Sequence, residues 1–178
     1  MTIFPSNSNK VLLALKFAIK KHRGQLRKGK VNGRAVSYVI HPIRVARILR
    51  ARGFGEDYII VALLHDTIED TDTTYEEILE LFGRRIADAV MLLSKRKGYV
   101  LDEYLGNINR DEIARNVKVA DRLDNLGDAS SVSKKFLIGY LKNTEEYFPP
   151  LARETVFEQD LKDLIERVGR RLRDGNTE

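Results

Sequence analysis

Apolar residues recur at intervals of three and four along almost the whole chain, as in Val11, Leu12, Leu15, Phe17 and Ala18, and again in Ile43, Val45, Ala46, Ile48 and Leu49. That spacing lines one face of an α-helix, whereas the strict alternation of a half-buried strand is scarce. The expected fold class is therefore all-α. Start and stop signals divide the pattern into helices at about 9–23, 42–52, 56–70, 74–82, 84–95, 109–126, 133–147 and 150–173. Thr74 and Glu77 have the spacing of a capping box, and Pro42 suits a first helical turn. Between the first two helices, GQLRKGKVNGRAVS (residues 24–37) has three glycines and four basic residues without helical periodicity, and is expected to be a mobile basic loop.

Length and composition narrow the possibilities. A chain of 178 residues fits one domain, 1–178, and no linker or repeat divides it. With 43% hydrophobic and 32% charged residues it can fill a core and keep a solvated surface. No apolar run approaches the roughly 20 residues that span a bilayer, and the start MTIFPSNSNK lacks the layout of a secretion signal, so a cytoplasmic protein without a membrane partner is expected. There is no cysteine, so a bound metal must be held by nitrogen and oxygen. A net charge of +5 suits an anionic partner, either nucleic acid or a small polyphosphate. Oligomeric state is left open.

The stretch ALLHDTIEDTD, from Ala62 to Asp72, closes an apolar helix with the ionisable groups His65, Asp66, Glu69 and Asp70, followed by Asp72. On a continuous helix His65 and Glu69 stand four apart, as do Asp66 and Asp70, giving two adjacent columns on one side. Adjacent His and Asp cannot fill a coordination sphere, so a metal here needs ligands from other helices. His41, just ahead of Pro42, and Asp121, within NVKVADRLDNLGD, are the candidates. Two imidazoles and two carboxylates suit Mn²⁺ or Fe²⁺ and also accept Zn²⁺; affinity alone does not select among them. Plainer readings exist for every piece: a helix-end pair for His65-Asp66, an N-cap neighbour for His41, a surface ion pair with Arg122 for Asp121, and a solvated turn for the basic loop. Together they favour chemistry.

In their order along the chain these pieces resemble the hydrolase domain of the RelA/SpoT stringent-response enzymes, an HD family, and in length the family's free-standing small alarmone hydrolases. The similar stretches are FAIKKHRGQLRKG (Phe17–Gly29), YVIHPIRVARIL (Tyr38–Leu49), IIVALLHDTIEDTDTTYEEILELFG (Ile59–Gly83) and VKVADRLDNL (Val117–Leu126), with a weaker echo in NTEEYFPPLA (Asn143–Ala152). The resemblance implies a single-domain HD-type helical bundle and a Mn²⁺ ion held by His41, His65, Asp66 and Asp121. It implies that Glu69 and Asp70 position and deprotonate the attacking water. Arg27 and Lys28 would lie against the nucleotide, Asn125 near the ribose, and Tyr140 on the ligand. The implied reaction removes the 3′-pyrophosphate from an alarmone of the (p)ppGpp or (p)ppApp type, a small-molecule nucleotide; the acidic residues scattered along the chain argue against nucleic acid as a partner. Too little chain follows Leu126 for a synthetase half.

Two departures bear on substrate choice. GKVNGRAVS (29–37) looks like an insertion, and the family's usual ADRLHN is here ADRLDN, with Asp124 in place of histidine and Asp128 where a small hydroxyl residue is common. Negative charge beside an anionic nucleotide is unfavourable unless paired. A nucleotide or dinucleotide phosphomonoesterase of the HD type, and a nucleotide-sensing module without turnover, remain as alternatives.

Overall fold

The structure, a computed structural model, describes residues 9–31, 34–128 and 132–175, and the side chains at 28–31 and 34 lie outside that description. Helix α1 (Asn9–Lys21) leads into an antiparallel hairpin, β1 (Leu26–Val31) and β2 (Arg34–Ser37). The helices α2 (Ile40–Ala51), α3 (Glu56–Leu64), α4 (Thr67–Asp70), α5 (Tyr75–Phe82), α6 (Arg84–Leu93), α7 (Leu101–Ile108), α8 (Glu112–Gly127), α9 (Lys134–Ala152) and α10 (Glu158–Arg173) follow. The all-α expectation holds, and among the described residues this hairpin is the one sheet. No helix among them is long and apolar enough to cross a membrane.

Helix α3 organises the bundle. Ile59 to Leu64 are apolar and buried without interruption, and a helix that is apolar all round must be covered on every side. Helices α1, α2, α6 and α8 cover it. Its C-terminal end therefore opens inside the protein, where ionisable residues can be desolvated and still reach a cavity. Helix α8 packs Ile113, Ala114, Val117 and Ala120 into the same core. A smaller cluster of Leu126, Leu137, Leu141, Leu164 and Val168 ties α8, α9 and α10 together, with the apolar stripe Leu161, Leu164 and Val168 of α10 on the inside.

Four sequence expectations need correction. The segment 24–37 is a hairpin, not a loop: Leu26 pairs with Ser37 and Val31 with Arg34, and Gln25 accepts a backbone hydrogen bond from Tyr38 at 2.9 Å. Its strands carry charge and glycine in place of apolar alternation, so periodicity could not reveal them. The pair Asn32-Gly33 between the strands is nonetheless the strongest short hairpin signal a sequence offers. The single helix expected at 56–70 breaks after Leu64 into α3 and α4. Helix α7 lies in a stretch for which no helix was expected, although Leu101, Tyr104, Leu105 and Ile108 have helical spacing; two glycines at 98 and 106 obscured it. The last break falls after Ala152, not ahead of Pro150: α9 carries Pro149 and Pro150 in its final turn, and the chain turns at Glu154, whose φ is 60°.

The capping box is present as expected. Thr74 accepts a hydrogen bond from the Glu77 backbone at 3.2 Å, and Glu77 accepts one from the Thr74 backbone at 3.0 Å.

Candidate metal centre and nucleotide cavity

Side chains of the chain itself end α3. His65 Nδ1 donates to the Ala62 carbonyl at 2.8 Å, and the Thr67 hydroxyl donates to the Leu64 carbonyl at 2.7 Å. These carbonyls would otherwise serve backbone N–H groups one turn on, so the helix is interrupted with its acceptors satisfied. His65 is thereby locked with Nε2 pointing away from its own backbone, and Asp66 becomes the residue that starts α4. Asp70 N still reaches the Asp66 carbonyl at 2.9 Å, so the expected Asp66–Asp70 column survives as one turn.

Three helical regions now bring their donors to one place. His41, in the first turn of α2, has Nε2 3.1 Å from Asp121 Oδ1 and 3.7 Å from Asp66 Oδ2. His65 Nε2 is 3.1 Å from Asp66 Oδ2 and 3.8 Å from Asp121 Oδ1. Each imidazole thus faces both carboxylates. The ligand atoms of His41, His65 and Asp121 all lie within 4.8 Å of one another. His65 Nε2 is buried and makes no hydrogen bond despite those oxygens. A buried polar atom left unsatisfied among convergent nitrogen and oxygen donors is what a divalent cation would satisfy, so this set fits a metal.

The plainer readings fail on burial. His41 is 2% exposed and inside a helix, and Asp121 is paired not with Arg122 but with Lys118, whose Nζ donates to Asp121 Oδ2 at 2.8 Å. Burial opposes charge on every member of the cluster, yet its opposite charges prevail. Lys118, His41 and His65 hold the Asp121 carboxyl well below the ordinary range. His65 and His41 do the same for Asp66. The Asp121, Asp124 and Asp66 carboxylates raise the His41 imidazole to about 9.

His41, Asp66 and Asp121 of the cluster line a cavity of about 760 Å³, large enough for a nucleotide, with His65 buried behind them. Glu69 and Asp70 line it too, in different states. Glu69 is tied to Lys95, accepting from its Nζ at 3.0 Å and its backbone N–H at 2.9 Å. Asp70 is exposed to the cavity beside the Tyr38 hydroxyl; partial desolvation and the nearby Asp66 and Glu69 charges push its carboxyl above the ordinary value. Tyr38 donates to Asp66 Oδ2 at 2.5 Å.

The remaining predicted residues form a second group. Arg27, on β1, donates to Asn125 Oδ1 at 3.2 Å and pairs with Asp128 at 3.1 Å. Asn125 in turn donates to Asp121 Oδ1 at 2.6 Å and lies beside the Tyr140 hydroxyl. Tyr140 stacks on Phe136 with ring centres 5.7 Å apart. Lys28 is on β1, with its side chain outside the described residues. His22 is buried just beyond α1 and packs its ring on Tyr38 at 4.9 Å.

Sequence reasoning missed Tyr38, Arg44, Lys95 and Lys118. The condition that Asp124 and Asp128 be paired is met by Arg44, which lies 2.7 Å from a carboxylate oxygen of each and was not anticipated as their partner. Lys118 was detectable as a cation three residues before Asp121 on one helix. The others meet their partners only through the fold.

The HD domain family matches residues 14–99. The chain is 37% identical over 157 residues to the guanosine-3′,5′-bis(diphosphate) 3′-pyrophosphohydrolase of Aquifex aeolicus, an alignment covering 84% of this chain and 22% of that protein. It is 36% identical over 157 residues to the guanosine-3′,5′-bis(diphosphate) 3′-pyrophosphohydrolase MESH1 of Danio rerio, covering 80% of this chain and 81% of that protein. The chain therefore spans about a fifth of the first relative and most of the second. A solved structure described as a metazoan ortholog of SpoT that hydrolyzes ppGpp superposes with a TM-score of 0.79 at 27% identity, over 93% of this chain and 99% of that one.

Proposed function

The chain belongs to the HD-domain family, and from that premise we propose that it is a Mn²⁺-dependent hydrolase releasing pyrophosphate from the 3′ position of a (p)ppGpp- or (p)ppApp-type nucleotide. The observation that carries this reading is the convergence of two imidazoles and two carboxylates from three helical regions beside a nucleotide-sized cavity. His41, His65, Asp66 and Asp121 would hold the ion, and this mixed nitrogen and oxygen donor set suits Mn²⁺ or Fe²⁺ while also accepting Zn²⁺. When bound, such an ion lowers the pKa of water and neutralises charge on phosphoryl oxygens.

The chain's own groups do the rest. Asp70, which has no lysine partner in the hydrogen bonds of the site where Glu69 is tied to Lys95, is assigned as the proton acceptor of the acidic pair. Glu69 holds Lys95 at the cavity edge, where the ammonium can meet a phosphate. Water oxygen bonds to the phosphorus attached to O3′, the O3′–P bond breaks, pyrophosphate leaves, and O3′ gains a proton. Arg27, Lys28, Asn125 and Tyr140 are assigned to the nucleoside end. The single domain spans 1–178, and the setting is the cytoplasmic nucleotide pool, with nucleic acid not a substrate.

Product analysis tests the reaction. After chelator treatment and Mn²⁺ restoration, anion-exchange chromatography should show pyrophosphate and a nucleoside 5′-di- or triphosphate from a (p)ppGpp- or (p)ppApp-type substrate. Orthophosphate from simple monophosphates, with alarmones untouched, would instead establish the phosphomonoesterase.

A pH dependence follows from His41. Its raised pKa means the metal-free site carries a proton on that ring at neutral pH, and a metal must expel it. Apparent Mn²⁺ affinity, measured by chelator competition, should rise about tenfold per pH unit from neutrality towards about 9 and then level off. A flat profile across that range would contradict a protonated His41 in the ligand set.

A further inference from the structure

The two imidazoles of the cluster are oriented differently. His65 leans on a backbone carbonyl, which no substitution at that position removes. His41 leans on a side chain: its Nδ1 lies 2.7 Å from Asp124 Oδ2, with Asp124 only 8% and His41 2% exposed at the side chain. Arg44 grips the same carboxylate, with Nη2 3.0 Å from Oδ2 and Nε 2.7 Å from Oδ1. Arg27 adds a longer contact at 3.9 Å.

We propose that Asp124 is a positioning residue for the metal site, its carboxylate holding His41 in the Nδ1–H form so that Nε2 presents its lone pair to the ion, with Arg44 holding the carboxylate in turn. This rests on the metal-site reading above. A carboxylate that accepts the outer N–H of a metal-bound histidine fixes both tautomer and ring orientation, and its loss commonly weakens metal binding about 10–100-fold. Asp124 is no threat to an anionic substrate, because its charge is spent on His41 and Arg44.

The amide of Asp124→Asn cannot substitute, although it has the same shape. If its NH₂ faces His41, Nδ1 must become the acceptor, and the ring proton moves to Nε2, where it blocks ligation. If its NH₂ faces Arg44 Nε instead, two donors oppose each other beside a buried guanidinium. Either arrangement loosens the ring.

The test uses Mn²⁺ affinity by chelator competition on the full chain, together with ¹⁵N-resolved NMR of the Zn²⁺-loaded wild type. The expected results are a 10–100-fold weaker Mn²⁺ affinity for Asp124→Asn, with its circular dichroism spectrum unchanged, and a His41 ring proton on Nδ1 in the wild type. Unchanged affinity in the folded variant, or a His41 proton on Nε2, overturns the proposal; the wild-type spectrum decides it even if the variant does not fold. A wild type that binds neither ion overturns the metal-site reading, and that outcome is distinct from the failure of Asp124 alone.

Discussion

Replacing Asp121 with alanine is expected to abolish both Mn²⁺ binding and hydrolysis, and separately to lower the stability of the metal-free protein by about 3–5 kcal/mol. The first effect follows because Asp121 Oδ1 faces both imidazole nitrogens. The second comes from its other oxygen, which is the partner of the buried Lys118 ammonium at 2.8 Å. Removing one member of a buried ion pair strands the other charge, at a cost exceeding what the pair contributes net. The two effects can be separated. Adding Lys118→Met to Asp121→Ala removes the stranded charge, so urea denaturation in chelator should show most of the stability restored while Mn²⁺ binding stays absent. Wild-type Mn²⁺ affinity in Asp121→Ala would remove this residue from the ligand set.

The second large effect concerns turnover. Asp70→Asn should lower kcat by about 10²–10⁴-fold while leaving Mn²⁺ affinity near the wild-type value, as befits the loss of a proton acceptor that is not itself a ligand. Glu69→Gln should act differently. Its carboxylate binds Lys95 through side chain and backbone, so neutralising it frees that lysine and should raise KM more than it lowers kcat. Steady-state kinetics on both variants decides between the two carboxylates. Wild-type kcat in Asp70→Asn, with turnover lost in Glu69→Gln, would exchange their roles.

The parts of this site that could be read from the sequence share one property: they depend on spacing along a single element. The helical periodicity of α1, α2, α6 and α10, the Thr74–Glu77 capping box and the Asp66–Asp70 turn are all local, and each is present. The break between α3 and α4 was not legible, because it depends on His65 and Thr67 using their side chains on carbonyls that a periodic pattern assigns to the backbone. The hairpin escaped for a related reason. Leu26 and Ala35 on its strands are exposed and Val36 is only partly buried, and the role of Arg27 comes from Asn125 and Asp128, about a hundred residues away. Asp124 is the clearest case: in the sequence it is one more acidic residue, and only the approach of α2 to α8 brings it to His41 and Arg44. Charge compensation between distant segments leaves no local signature.

One measurement bears most directly on whether His41, His65, Asp66 and Asp121 share a cation. Crystals grown with Mn²⁺, with data collected on either side of the manganese absorption edge, should give a single strong anomalous peak bonded to both imidazole Nε2 atoms and to an oxygen of each carboxylate. A peak elsewhere in the protein, or none at this cluster at saturating Mn²⁺, would contradict it.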